Sequence, residues 1–216
     1  RGEVAAFLGL LRRRPVWAII AGQYTQAWGL YGLSNWLPTY LGDQFGVALA
    51  DMPALTTLPF LLQGGVGVAA GVVADGLITS GMRPQAVRRL LQTLGMGLPA
   101  VLLLFAAQAT TPEEASGLIA GALGASALTL GGVSAAHLEA APDAPASVFA
   151  IGNSAGTLGG FLSVGGCAYL QDATHSWPLI LGVIAGHYAV GACLFALWID
   201  PEDVIPPGGK RDAISS

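Results

Sequence analysis

Arg12-Arg13-Arg14-Pro15 leads into Val16-Trp17-Ala18-Ile19-Ile20-Ala21-Gly22-Gln23-Tyr24-Thr25-Gln26-Ala27-Trp28-Gly29-Leu30-Tyr31, and the same character persists to Leu41. Once the basic cluster ends at Pro15, no Lys, Arg, Asp or Glu occurs before Asp43. A helix of about 20 predominantly apolar residues crosses a bilayer. Val16–Leu41 therefore reads as a membrane span, entered through a proline in its first turn. Five further stretches share this character: Leu55–Ile78, Leu90–Ala107, Ala115–His137, Val148–Tyr169 and Pro178–Trp198. The fold class expected is an all-α membrane protein with six transmembrane helices.

Composition agrees. The 216 residues are 53% hydrophobic and 10% charged, where a soluble domain carries about 25% charged residues. With nine basic residues and a formal net charge of -4, no basic face could hold a nucleic acid. Cys167 and Cys193 sit in apolar runs without metal or disulfide spacing and read as small core hydrophobes. His137, His175 and His187 are not at ligand spacing, so no metal is expected. No nucleophile elbow, Walker loop or paired-carboxylate arrangement is found, which argues against an enzyme, and no cofactor is implied.

Basic residues set orientation. Arg1 and Arg12–Arg14 precede the first span, Arg83, Arg88 and Arg89 lie between the second and third, and Lys210 and Arg211 follow the sixth. If six spans alternate, all nine fall on one side, while the opposite loops carry Asp43, Asp51, Glu113, Glu114 and Asp172. Both ends are read as cytoplasmic, or stromal in a plastid. Residues 1–14 read as the end of a cytoplasmic loop, 15–199 as the six-helix bundle, and 200–216 as a polar tail. Thr111-Pro112-Glu113-Glu114 has the pattern of a capping box. The chain opens on Arg1 rather than Met, and reads as the tail of a longer protein.

The first span is the most polar. At about 100° per residue, Gln23, Gln26, Tyr31 and Ser34 fall in one stripe, with Gly22, Gly29 and Gly32 on the other side. The stripe suits either a wet cavity or hydrogen bonds between helices. Trp36 and Tyr40 read as cavity aromatics or as interface anchors. In the fifth span Gly152, Gly156 and Gly160 form a small-residue face for close helix packing, and Asn153 beside it is an interhelical bond or a cavity donor. No charged side chain lies deep in a span, so any ligand must be met by neutral polar groups, aromatics and helix ends.

Three segments carry a family resemblance: Trp28-Gly29-Leu30-Tyr31 with Asn35-Trp36-Leu37-Pro38-Thr39-Tyr40-Leu41; Gly71-Val72-Val73-Ala74-Asp75 with Arg88-Arg89; and Gly152-Asn153-Ser154-Ala155-Gly156-Thr157-Leu158-Gly159-Gly160. The second resembles the second copy of the G-x-x-x-D loop motif of the major facilitator superfamily. Together they resemble the anion:cation symporter family, which includes sialin, the vesicular glutamate transporters and plant plastid phosphate transporters. The resemblance implies the second six-helix bundle of a twelve-helix transporter, lying in a lipid bilayer and completed by a missing N-terminal six-helix half. It implies alternating access for a small organic or inorganic anion, phosphate among the options, coupled to Na⁺ or H⁺. Tyr31 matches a tyrosine of the family's substrate cavity and Asn153 the asparagine of its helix-eleven motif. Gln26 stands where relatives have arginine, histidine or tyrosine, which argues against glutamate specificity. Gln23, Gln26, Tyr31 and Asn153 are the expected substrate-binding set, and Gly71, Asp75, Arg88 and Arg89 the expected conformational loop motif. The membrane could be that of a plastid, a vesicle or lysosome, or the cell surface. An inactive half-length fragment, a homodimer of halves and a polytopic membrane enzyme are the competing readings.

Overall fold

The computed structural model describes residues 7–199; Arg1, Lys210, Arg211 and the expected polar tail lie outside the described residues. Helices follow one another as α1 (Arg14–Phe45), α2 (Met52–Thr79), α3 (Pro84–Ala106), α4 (Pro112–Ser126), a 3-10 turn (Ala127–Leu130), α5 (Val133–Ala140), α6 (Pro145–Thr174) and α7 (Trp177–Trp198). Among the described residues there is no strand. Each long helix starts with a proline in its first turn, where the missing N–H costs no intrahelical bond. At α4 the Thr111 hydroxyl accepts from the Glu114 N–H at 3.2 Å. The Glu114 carboxylate reaches back to the Thr110 N–H at 3.0 Å, one residue earlier than the capping-box pattern predicts.

Among the described residues five spans are long and apolar enough to cross a membrane: α2, α3, the continuous Pro112–Ala140 segment, α6 and α7. The 32-residue α1 has the length but is not among them, because its glutamines, glycines and aromatics dilute its apolar content. The expected first span is thus present as a helix but is set apart by its polarity.

Contacts at the two ends show that the helices alternate in direction. At one end Arg13 makes a two-pronged ion pair with Asp143 at 2.9 and 3.0 Å, and Arg88 pairs with Glu139 at 3.1 Å. At the other, the Tyr40 hydroxyl donates to the Ala106 carbonyl at 3.1 Å, and Gln171 donates to Asp43 at 3.3 Å. Arg12–Arg14, Arg83, Arg88 and Arg89 therefore share the first end. The Arg13 guanidinium holds the Asp143 carboxyl below the usual carboxylate range, chiefly by hydrogen bonding, and is itself raised by that bond.

Three apolar clusters organise the described residues, the smallest formed by Ala74 of α2 with Val87 and Leu91 of α3; the other two set the bundle. The larger joins α1, α3, α4 and α7 around Leu37, Met96, Leu123, Ile184 and Tyr188. The second lies toward the basic end, around Val16, Ile19, Val133, Val148 and Phe195. Tyr40 is buried in the larger cluster, so it packs the bundle rather than marking the lipid–water boundary. Cys167 is buried as expected, but Cys193 is exposed on α7, because its position faces away from the neighbours that α7 shares with α1 and α3.

Candidate functional site

The most polar helix is held on two sides by glycine contacts. On one side α6 lays Gly152 against Ile19, Gly156 against Gln23, and Gly160 under the Tyr31 ring. At Gly159 a Cβ would collide with the Tyr24 backbone carbonyl, so the two backbones approach as closely as small-residue seams allow. On another side α7 seats the buried Tyr188 ring against Gly29 and Phe195 against Gly22. Trp28 stacks on His187 of α7, ring centroids 4.0 Å apart and 3° from parallel.

The face of α1 left free carries Gln26 and Leu30, which open onto a cavity of about 450 Å³. Its opposite wall is α2, through Phe60, Gln63 and Gly67, and its third wall is the 3-10 turn, through Thr129 and Leu130. Gln26, Gln63 and Thr129 each fall in the middle third of their spans. The Thr129 hydroxyl donates to the Ser126 carbonyl at 2.7 Å, so its proton is committed. Neither glutamine amide makes a hydrogen bond to another described residue; both are half-buried.

That third wall exists because the fourth span is discontinuous. Gly131 and Gly132 interrupt it, with Gly132 at φ -97 and ψ -108. The freed backbone groups are met from α3: the wholly buried Gln92 accepts from the Val133 N–H at 2.9 Å, and Arg88 donates to the Gly131 carbonyl at 3.0 Å. Gln92 also donates to the Met96 sulfur at 2.9 Å. A Cβ on Gly132 would stand 2.7 Å from the Gln92 oxygen, and one on Gly131 2.9 Å from the Ala70 carbonyl. Non-helical backbone at membrane depth is tolerated where it is buried in protein, and Gly131 and Gly132 are both buried, next to the turn that lines the cavity.

Of the four expected substrate-binding residues, Gln26 alone lines this cavity. Gln23 and Tyr31 lie along the α1–α6 seam, the latter half-exposed, and Asn153 is exposed on α6 beside them. Sequence reasoning missed Gln63, although an unpaired amide within the otherwise apolar centre of Leu55–Ile78 was a usable signal. It also missed Gln92. Of the loop motif, Gly71 and Asp75 are exposed on α2, Arg89 is exposed on α3, and Arg88 is turned inward to Glu139 and Gly131. Among the described residues no cluster of His, Cys, Asp or Glu could hold a metal.

No family model matches the chain. Curated relatives do. The chain is 31% identical over 170 residues to a probable chloroplastic anion transporter of Arabidopsis thaliana, covering 78% of this chain and 33% of that protein. It is 28% identical over 189 residues to the human voltage-gated purine nucleotide uniporter, covering 88% and 43%. It is 28% identical over 196 residues to an Arabidopsis thaliana chloroplastic sodium-dependent phosphate transport protein, covering 91% and 38%. The chain thus spans between 33% and 43% of the length of these relatives. They are transporters and not enzymes, and with its apolar helices this chain is a multi-pass integral membrane protein.

Proposed function

From this chain's homology to part of the anion transporters, we propose that it forms the C-terminal six-helix half of a major facilitator anion transporter, α1 being its first span. The observation that carries this reading is the cavity at mid-depth, walled by the polar α1, by α2 and by a broken span. Secondary transporters place their substrate near the bilayer midplane, at discontinuous helices between repeats that rock against one another. α2 is also the least buried span, which suits a helix that meets a second bundle as well as lipid. The missing N-terminal half would close the cavity and supply the charge that its neutral walls lack.

In this reading residues 15–199 are the bundle, 1–14 the end of the loop from the preceding half, and 200–216 a tail. A small organic or inorganic anion, phosphate among the candidates, moves by alternating access coupled to Na⁺ or H⁺. Gln26 faces it directly, and Gln23, Tyr31 and Asn153 meet it along the α1–α6 seam when the halves rock. Gly71, Asp75, Arg88 and Arg89 act at the basic end, where Arg88 latches α3 to Glu139 in the arrangement seen here. The test is uptake into liposomes of phosphate, ascorbate, glutamate and sialate by the complete transporter, with and without Na⁺ or a pH gradient. Tyr31→Phe is expected to lower uptake of the transported anion severalfold at unchanged expression. Unchanged uptake removes Tyr31 from the site, and no uptake of any anion by the unmodified protein overturns the reading.

A further inference from the structure

The geometry points to Gln63 of α2 as a second substrate-contacting amide, which with Gln26 recognises a compact anion through several oxygen acceptors and without a cation from this half. This rests on the transporter reading and adds to it a residue on another helix. Around Gln63 the span is Leu58-Pro59-Phe60-Leu61-Leu62 on one side and Gly64-Gly65-Val66-Gly67-Val68 on the other. The other polar side chains toward its start are satisfied within the helix, Thr56 donating to the Met52 carbonyl and Thr57 to that of Pro53. Gln63 has no such partner among the described residues. A primary amide at mid-depth without a hydrogen bond is costly to keep, and the cost is relieved only where water or a ligand reaches it. The cavity supplies that place, with Gln26 on the facing wall.

What the two amides can do follows from their chemistry. Each offers two N–H donors, and with the Thr129 hydroxyl proton already spent on Ser126 they are the side-chain donors on these walls. Carboxylates and phosphates both present several oxygen acceptors in a small volume. No Lys, Arg or His lines the cavity, so selection on this side rests on the number and position of acceptors, not on charge. Phe60, Leu30 and Leu130 close the remainder with apolar surface, the usual composition of a small-molecule site.

The experiment compares uptake of inorganic phosphate and of ascorbate by the complete transporter carrying Gln63→Leu or Gln63→Glu, with thermal unfolding in detergent as the control for folding. Leucine keeps the volume and removes both donors; it is expected to raise KM about tenfold for the anion that the unmodified protein transports, with an unchanged unfolding midpoint. Glutamate keeps the shape but turns the donors into a carboxylate, and is expected to raise KM further or abolish uptake, more steeply for phosphate than for the singly charged ascorbate. A Gln63→Leu protein whose KM stays within twofold of the unmodified value overturns the inference and leaves the transporter reading standing. An unmodified protein that takes up neither these anions nor glutamate and sialate overturns both.

Discussion

Replacing Gln92 by leucine removes the acceptor of the Val133 N–H while keeping the side chain's volume. The bond is 2.9 Å long, and Gln92 has no solvent exposure, so no water inside the bundle takes its place. A buried donor left without a partner costs roughly 1–3 kcal/mol. The added apolar surface offsets little of this, because leucine in a bilayer-inserted unfolded chain is already in an apolar medium. The lost contact to the Met96 sulfur is a minor addition. Gln92→Leu is therefore expected to destabilise the bundle by about 2 kcal/mol, or roughly thirtyfold in the folding equilibrium, measured by reversible unfolding in bicelles. Hydrogen exchange at the Val133 amide is expected to accelerate with it. Gln92→Glu, whose carbonyl can still accept from Val133, is expected to retain more of that protection. Gln108→Leu serves as the control, since Gln108 is exposed in the turn after α3 and its side chain bonds only the Leu104 carbonyl, and is expected to stay within about 0.5 kcal/mol of the unmodified protein. A Gln92→Leu protein as stable as this control, with Val133 still protected, would refute the assignment of Gln92 as the clamp on the broken span.

Gly159→Ala places a methyl group into the Tyr24 backbone, which cannot rotate away, so the α1–α6 seam must part at a cost of about 1–3 kcal/mol; Gly165→Ala, with open space around it, is expected to be near neutral in the same unfolding assay, and equal effects would contradict the seam. The Asp143 carboxyl is held below its ordinary value by Arg13, so its contribution is complete above the unfolded carboxylate pKa of about 4 and is lost as pH falls through the lower folded value. Because the pair is exposed, the loss should be only roughly 0.2–1 kcal/mol, and Asp143→Asn should abolish that part of the drop in thermal midpoint between neutral and acid pH; an identical drop in both proteins would count against it.

Much of the bundle is written locally in the chain. Helices α2, α3, α6 and α7 are legible because partitioning of apolar side chains into lipid depends on composition over a single run. The common end of Arg13, Arg83 and Arg88 follows from alternation alone. The Gly152, Gly156 and Gly160 face is equally local, since four-residue spacing places glycines on one stripe of any helix. That this stripe meets α1 at Gln23 and Tyr31, and leaves Gln26 to another face, depends on the volumes of side chains on both helices, and no single run contains that information. The break in the fourth span is a sharper case. Gly131-Gly132 could continue a helix; it departs from one because Gln92 and Arg88, distant in sequence, satisfy the freed N–H and carbonyl. Glu139 has no marked partner in the sequence until the fold brings Arg88 beside it. The sequence by itself therefore determined the membrane, the helices and their directions, through local apolarity and charge. Tertiary packing decided which polar groups share a cavity, because an amide's partner is chosen by whichever backbone or side chain the packed helices bring within about 3 Å of it.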